Sequence, residues 1–284
     1  MKNLRLVSIL SLLLLFFACS RIDLAANWAD TYISHQIDHY FDMNSLQSKL
    51  LKKSLKEDIK EVRKIIFPKL ALDLERIDGD VEGATNFNVQ KLESYKVNLR
   101  KTFDEGLIIF EPSAQEFVNQ LNASQLESFK KEFDKKTKDI ESEASEPVTA
   151  KDKRFNKIRE QLEGWLGILY PEQRKDIQIF CNANPFPFRE QVLNRNKLSR
   201  EFLEAFPNTE KRKKFIHQLF YNYESMREPS YAKVIDEDQQ KYFELISVIL
   251  NKMSNEQKKR LSKTLKDRVE QLNKSSLTKK SSVF

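Results

Sequence analysis

Three histidines and two cysteines set the limits of the chemistry open to this sequence. His35 and His39 stand four residues apart, the spacing at which two imidazoles on one helix face can share a metal ion, and Asp38 and Asp42 flank them. Gln36, Ile37 and Asp38 fill the gap, so the glutamate of a helical zinc-hydrolase motif is missing. The pair is a weak metal candidate that a solvated helix face explains better. Cys181 has no histidine near it in sequence, and neither Gly-x-Ser-x-Gly nor a glycine-rich phosphate loop occurs. Cys181 is therefore expected as a small buried hydrophobe. Acidic residues pair with basic ones at helical spacing, as Glu132 does with Lys136. No catalytic residue and no cofactor is expected from these patterns. A polymer hydrolase would need carboxylates that only the tertiary fold brings together.

Cys19 stands in a different setting. The chain opens Met1-Lys2-Asn3-Leu4-Arg5, and from Leu6 to Ala18 only Ser8 and Ser11 interrupt an apolar run that Cys19 closes. A membrane-spanning helix needs roughly 20 apolar residues and a signal h-region about 7–15, so residues 1–18 read as a cleaved signal peptide. Phe16-Phe17-Ala18-Cys19 resembles a bacterial lipobox, with small Ala18 before the thiol and Phe16 in place of the usual Leu. That resemblance implies three acyl chains on Cys19, enough for durable anchoring, since each buried methylene contributes about 0.8 kcal/mol. Ser20 in place of Asp points to the outer membrane, facing the periplasm, in preference to the inner one.

The whole chain carries a formal charge of +7. Residues 1–18 hold Lys2 and Arg5 and no acid, which leaves +5 afterwards; residues 251–284 alone hold ten basic residues against three acids. A basic end of this kind can touch anionic lipid or an anionic polymer. Export excludes nucleic acid as the partner. Five glycines and eight prolines argue against turn-rich β or dinucleotide-binding architectures.

Apolar residues recur at helical spacing almost throughout. Leu24, Trp28, Tyr32, Ile37 and Tyr40 make a stripe, and Leu46 to Ile66 a second that Pro68 should interrupt, with a loop around Gly79–Asn86. An all-α bundle of about nine to eleven helices is expected. Glu141–Ala150 lacks the period, so the chain divides into a helical half at 19–142, a linker at 143–151, a second helical half at 152–273 and a disordered basic tail at 274–284.

A short element recurs four times: Met43-Asn44-Ser45-Leu46-Gln47, Leu121-Asn122-Ala123-Ser124-Gln125, Leu169-Tyr170-Pro171-Glu172-Gln173 and Met253-Ser254-Asn255-Glu256-Gln257. This is capping-box chemistry. A side-chain oxygen of Asn44, Asn122 or Ser254 accepts from the N3 amide, while Gln47, Gln125, Gln173 or Gln257 reaches back to the cap. Pro171 suits the first helical position, although Tyr170 cannot cap as Asn or Ser does. Gln47 to Gln125 is 78 residues and Gln173 to Gln257 is 84, which suggests two distantly similar halves.

Ala18-Cys19-Ser20-Arg21-Ile22-Asp23-Leu24-Ala25, Asn27-Trp28-Ala29-Asp30 and Asp38-His39-Tyr40-Phe41-Asp42-Met43 with Gln47 resemble a bacterial envelope lipoprotein family catalogued as a domain of unknown function. That family has a Tyr-x-Asp-Leu-Thr-x-x-Gln element, and a later Trp-His-Arg stretch of which this chain keeps only Arg63 before Pro68. The repeated box is also similar, more distantly, to the Leu-Thr-x-x-Gln element of Spy-like periplasmic chaperones. The resemblance implies an all-helical envelope lipoprotein and supplies no activity; the anchor, the all-α pattern and the absence of catalytic motifs point to a non-enzymatic protein that binds a protein or envelope polymer. A chaperone for unfolded envelope proteins is the alternative.

Overall fold

Residues 22–83 and 85–277 are described by the structure, a computed structural model, with the side chains of Asp23 and Leu24 left aside. Residues 1–21, with Cys19 and the expected signal peptide among them, and residues 278–284 lie outside them. Eleven α-helices and no strand occur among the described residues: α1 (Ile22–Phe41), α2 (Ser45–Glu82), α3 (Val89–Ile108), α4 (Glu111–Asn119), α5 (Ala123–Ala144), α6 (Pro147–Leu166), α7 (Pro171–Ala183), α8 (Phe188–Ala205), α9 (Thr209–Tyr221), α10 (Pro229–Asn251) and α11 (Asn255–Ser276). A 3-10 turn at Tyr223–Met226 precedes α10. Proline opens four of the helices at their first or second position, where its missing N–H leaves no intrahelical bond unmade.

Helix α2 differs from the sequence reading. It runs unbroken through Pro68 and Gly79 to Glu82, a span of 38 residues or about 57 Å. An interior proline costs about 3 kcal/mol in an isolated helix. Here Ile66, Leu70, Ala71 and Leu74 on either side of Pro68 are buried, and that packing holds the helix together. The expected linker at 143–151 also shrinks, because α5 continues to Ala144 and α6 begins at Pro147; only Ser145 and Glu146 are non-helical. The start of the expected tail is helix as well, through Ser276.

Two buried clusters make the core. One joins Ile22 of α1 and Leu70, Ala71, Leu74 and Val81 of α2 to residues of α6, α7, α10 and α11, including Leu162, Ile177, Ile249 and Leu272. The other is aromatic: Tyr40, Phe117, Phe129, Phe133 and Phe202 with Phe41, Phe206 and Phe215 packed against it, and with Leu51 and Leu55 of α2. Phe41 stacks on Phe129 at 5.1 Å, and Phe202 meets Phe129 edge-on at 5.0 Å. Both clusters draw on both halves of the chain, and α2 contributes to each.

Helix α1 is rotated relative to the expected stripe. Its buried face is Ile22, Ala26, Ala29 and Tyr40, with Ile33 and Ile37 partly covered, whereas Trp28 is 63% exposed and Tyr32 45%. The alanines allow close helix approach, which leaves the bulky rings no room on that face.

Candidate functional site

The four capping motifs do not stand separately. They meet in pairs, one pair in each half of the chain. At the start of α2, Gln47 N–H donates to Asn44 Oδ1 at 2.9 Å and Asn44 N–H to Gln47 Oε1 at 3.1 Å. At the start of α5 the same two bonds join Asn122 and Gln125, at 3.1 and 3.2 Å. The glutamine side chains then face each other: Gln47 Nε2 donates to Gln125 Oε1 at 3.1 Å and Gln125 Nε2 to Gln47 Oε1 at 2.7 Å. Each amide nitrogen also reaches a carbonyl ahead of its partner's cap, Gln47 to Gln120 O and Gln125 to Asp42 O. Each carboxamide therefore makes two acceptor and two donor bonds, so amides with little exposure are satisfied through their own cap and their partner's.

The second half builds the same clasp from α7 and α11. Gln173 Nε2 donates to Gln257 Oε1 at 3.0 Å, and Gln257 Nε2 to Gln173 Oε1 at 2.9 Å and to Ile168 O at 3.0 Å. Ser254 and Gln257 form a complete box at 3.2 Å in both directions. Tyr170 N–H donates to Gln173 Oε1 at 3.0 Å, but a phenol cannot fold back onto the N3 amide, so this box is half made. Its hydroxyl instead lies 3.3 Å from Ser254 Oγ, tying one cap to the other. In both halves the helix before the first box, α1 or α6, packs against both helices that the boxes open. Gln47, Gln125, Gln173 and Gln257 are buried, and through them the motifs join helix starts in pairs.

The histidines do not gather. His39 Nε2 lies 3.6 Å from Glu132 Oε2, His35 is exposed, and His217 Nδ1 lies 3.1 Å from Glu111 Oε1 while its ring stacks on Tyr221. Among the described residues no group of three His, Cys, Asp or Glu is placed to hold a metal ion.

Two features escaped the sequence reading. Arg195 on α8 is 2% exposed, with its guanidinium 4.1 Å over the Phe133 ring and its Nε donating to Thr137 Oγ1 at 3.2 Å. Burial pulls its pKa below the ordinary arginine value, and a hydrogen bond with the Tyr40 hydroxyl works against that. Seven residues before Phe202, Arg195 lies on the apolar face of α8, whereas the exposed Arg200 lies on the opposite one; that spacing is the signal in the sequence for its burial. The second feature is a cleft of about 530 Å³ where α6, α10 and the Asn184–Pro187 loop meet. Arg154 lies in it between Phe180 and Phe186, held by Asp238 at 2.7 and 2.9 Å and by Asn184 O at 2.6 Å. Cys181 backs the cleft, fully buried, and burial pushes its thiol pKa up.

Among the described residues no helix is long and apolar enough to cross a membrane. A family model described as a family of unknown function (DUF6279) matches residues 39–232, which take in the first three capping motifs and stop short of Ser254 and Gln257. No curated protein and no solved structure matches the chain.

Proposed function

The chain belongs to this family of unknown function, and on that premise we propose that it is a lipid-anchored, non-enzymatic protein of the bacterial envelope. Acylated Cys19 holds the helical domain at the periplasmic face of the outer membrane, where its surface binds a protein or an envelope polymer. The observation that carries this reading is the start of α1. Ile22, three residues after Cys19, is already buried at 3% exposure, and its N–H donates to Gln271 Oε1 on α11 at 3.2 Å. Three residues of extended chain span at most about 11 Å. An acyl group on Cys19 would thus hold a folded domain directly against the bilayer, with no flexible stalk. Mass spectrometry of the protein extracted from membranes tests the anchor: the expected product begins at Cys19 and carries acyl chains. Cys19→Ala should release the domain into the periplasmic fraction. An unmodified N-terminus, or membrane retention of Cys19→Ala, refutes the reading.

A Spy-like chaperone role is the second reading. It draws support from apolar side chains exposed beside the clasps, Leu46 at 63% and Ile168 at 81%. If it holds, the protein slows aggregation of an unfolded client, and Leu46→Lys with Ile168→Lys removes that effect. No slowing by the unaltered protein ends this reading.

A further inference from the structure

The opening turns of α2 carry charge that the helix itself does not balance. Between Ser45 and Lys56 stand Lys49, Lys52, Lys53 and Lys56, and no acid. At 100° per residue the four fall within about 100° of one another, along about 10 Å of helix, and all are exposed. Each has two of the others as a third or fourth neighbour, the spacing at which like charges destabilise a helix. They also stand toward the N-terminal end, where the helix dipole favours acids. Among the described residues none of the four is in an ion pair. One turn later the pattern changes, for Lys60 meets Glu57 at 3.1 Å and Lys64 meets Glu61 at 3.8 Å. The lysine run works against the helix that bears it.

Neighbouring elements add to this charge. The end of α4 sits between two basic helix starts: Gln120 O accepts from Gln47 of α2, and Asn119 Oδ1 accepts from Arg212 of α9 at 2.9 Å. Helix α9 carries Lys211-Arg212-Lys213-Lys214, of which, among the described residues, only Lys213 has an acid partner, Glu210 at 3.4 Å. Against them stand Asp38 and Asp42 at the close of α1, Glu116 of α4 and Glu127 of α5; the Asp38 carboxylate accepts the Met43 N–H. Residues 19–250 as a whole sum to −2, because residues 251–284 hold ten bases against three acids, so the concentration of lysine here is local. The surface also selects its partner. Lysine is a point charge without the planar fork of arginine, and it responds to charge density more than to the shape of one anion. Protein–protein interface cores are poor in lysine and rich in aromatic rings, whereas the exposed apolar side chains of these turns are Leu46 and Leu50 alone. The apolar face that a membrane-surface helix would insert, Leu51, Leu55 and Ile59, is already buried in the protein. A row of cations on an open helix face suits a flexible chain of anions.

We propose that the lysine face at the start of α2 binds a linear polyanion, a polymer whose repeating units carry phosphate or carboxylate groups. The proposal rests on the polymer-binding reading above and gives it a site. It is tested with the full chain in a neutral detergent, titrated into fluorescently labelled long-chain polyphosphate and, separately, labelled polygalacturonate, with anisotropy read over a range of NaCl. Saturable binding that weakens steeply with salt is expected, and the two polymers tell phosphate from carboxylate. Lys49→Gln, Lys52→Gln, Lys53→Gln and Lys56→Gln combined should weaken binding about tenfold or more. The slope of log affinity against log salt should flatten by about 3, at about 0.7 per lysine. The same variant should keep or raise the urea midpoint, since its like-charge contacts are gone. Lys138→Gln, Lys175→Gln, Lys233→Gln and Lys259→Gln combined change the net charge equally and should alter binding little, because charges beyond a Debye length are screened. Equal losses in the two variants reduce the effect to net charge and overturn the site. A lowered urea midpoint in the first variant means that the lysines serve the fold, which overturns the argument from their placement. Displacement of polyphosphate by glycerol phosphate at equal phosphate concentration overturns the polymer in favour of a single lipid headgroup. No binding of either polymer by the unaltered chain removes the proposal, while the anchor stands or falls on the mass of the Cys19 peptide.

Discussion

The paired clasps make a quantitative claim about coupling. Gln257 accepts from Ser254 N–H and from Gln173 Nε2, and donates to Gln173 Oε1 and to Ile168 O. Gln257→Leu keeps most of the side-chain volume and removes all four bonds. Ile168 is exposed, so water can replace the bond to its carbonyl. The Gln173 amide is 1% exposed, and its nitrogen is left facing an apolar group. An unsatisfied buried polar group costs about 1–3 kcal/mol, and the lost cap bond adds about 1 kcal/mol. The single variant should therefore lose about 2–4 kcal/mol, and Gln173→Leu a similar amount.

The double variant is the informative one. With both glutamines replaced, no amide is stranded, so the combined loss should fall short of the sum by about 1–3 kcal/mol. Urea unfolding followed by circular dichroism on the four proteins of the cycle measures that shortfall. The same cycle on Gln47 and Gln125 should return a coupling of like size, since that pair makes the same reciprocal bonds at 3.1 and 2.7 Å. Losses that add within about 0.5 kcal/mol would mean that the boxes act as independent helix starts and that the clasp contributes nothing of its own.

Three further outcomes follow from single residues. Gly167 ends α6 at φ 78° and ψ −151°, a conformation nearly closed to other residues, while a Cβ there would meet nothing nearer than Arg260 Cγ at 3.7 Å. Gly167→Ala should accordingly cost about 1–3 kcal/mol from backbone strain alone, read as a lowered urea midpoint. Arg195→Ala should cost about 3 kcal/mol or more, because it opens a cavity and takes the Arg195 partner from the buried Tyr40 hydroxyl, while Thr137 keeps its bond to Phe133 O; Arg195→Met refills the space and should cost less in the same assay. Burial alone would raise the Asp80 pKa, but hydrogen bonds from Lys91, Tyr95 and Thr85 hold it below the ordinary value. A depressed carboxylate stabilises the fold above its unfolded pKa of about 4 and loses that contribution as pH falls through the folded value. Asp80→Asn should therefore be less stable than the parent at pH 7, with the gap closing below about pH 4 in thermal melts.

The sequence made the helices legible because each carries its own start signal and apolar period. Asn44, Asn122 and Ser254 are read correctly from type and spacing alone, since capping is local. What local chemistry cannot convey is which cap meets which. The reciprocal Gln–Gln bonds span 78 and 84 residues, and the repeated pattern suggested related halves without revealing that the boxes touch. Pro68 misled for a related reason: its penalty is local, whereas the burial of Leu70 and Leu74 that overrides it is tertiary. Trp28 misled because a bulky ring at helical spacing reads as core, while the true contact face consists of Ala26 and Ala29. Arg195 stands at helical spacing from Phe202, but its charge reads as a solvated position; its burial is decided by Phe133 and Thr137 on α5, about sixty residues away.

The two halves recur in pattern without being separate bodies. If each clasp governed an independent half, each buried cluster would draw its residues from one side of residue 145. Instead Ile22 and Leu74 share a cluster with Ile177 and Leu272, and Phe129 shares one with Phe202 and Ile216. Helix α2 spans both clusters and lies along α11 over most of the latter's length. One clasp secures the first residues of α2 and the other the first residues of α11, and these two helices run antiparallel. The clasps therefore secure the N-terminal ends of α2 and α11, ends where fraying would otherwise begin. A domain fastened in this way moves as one piece.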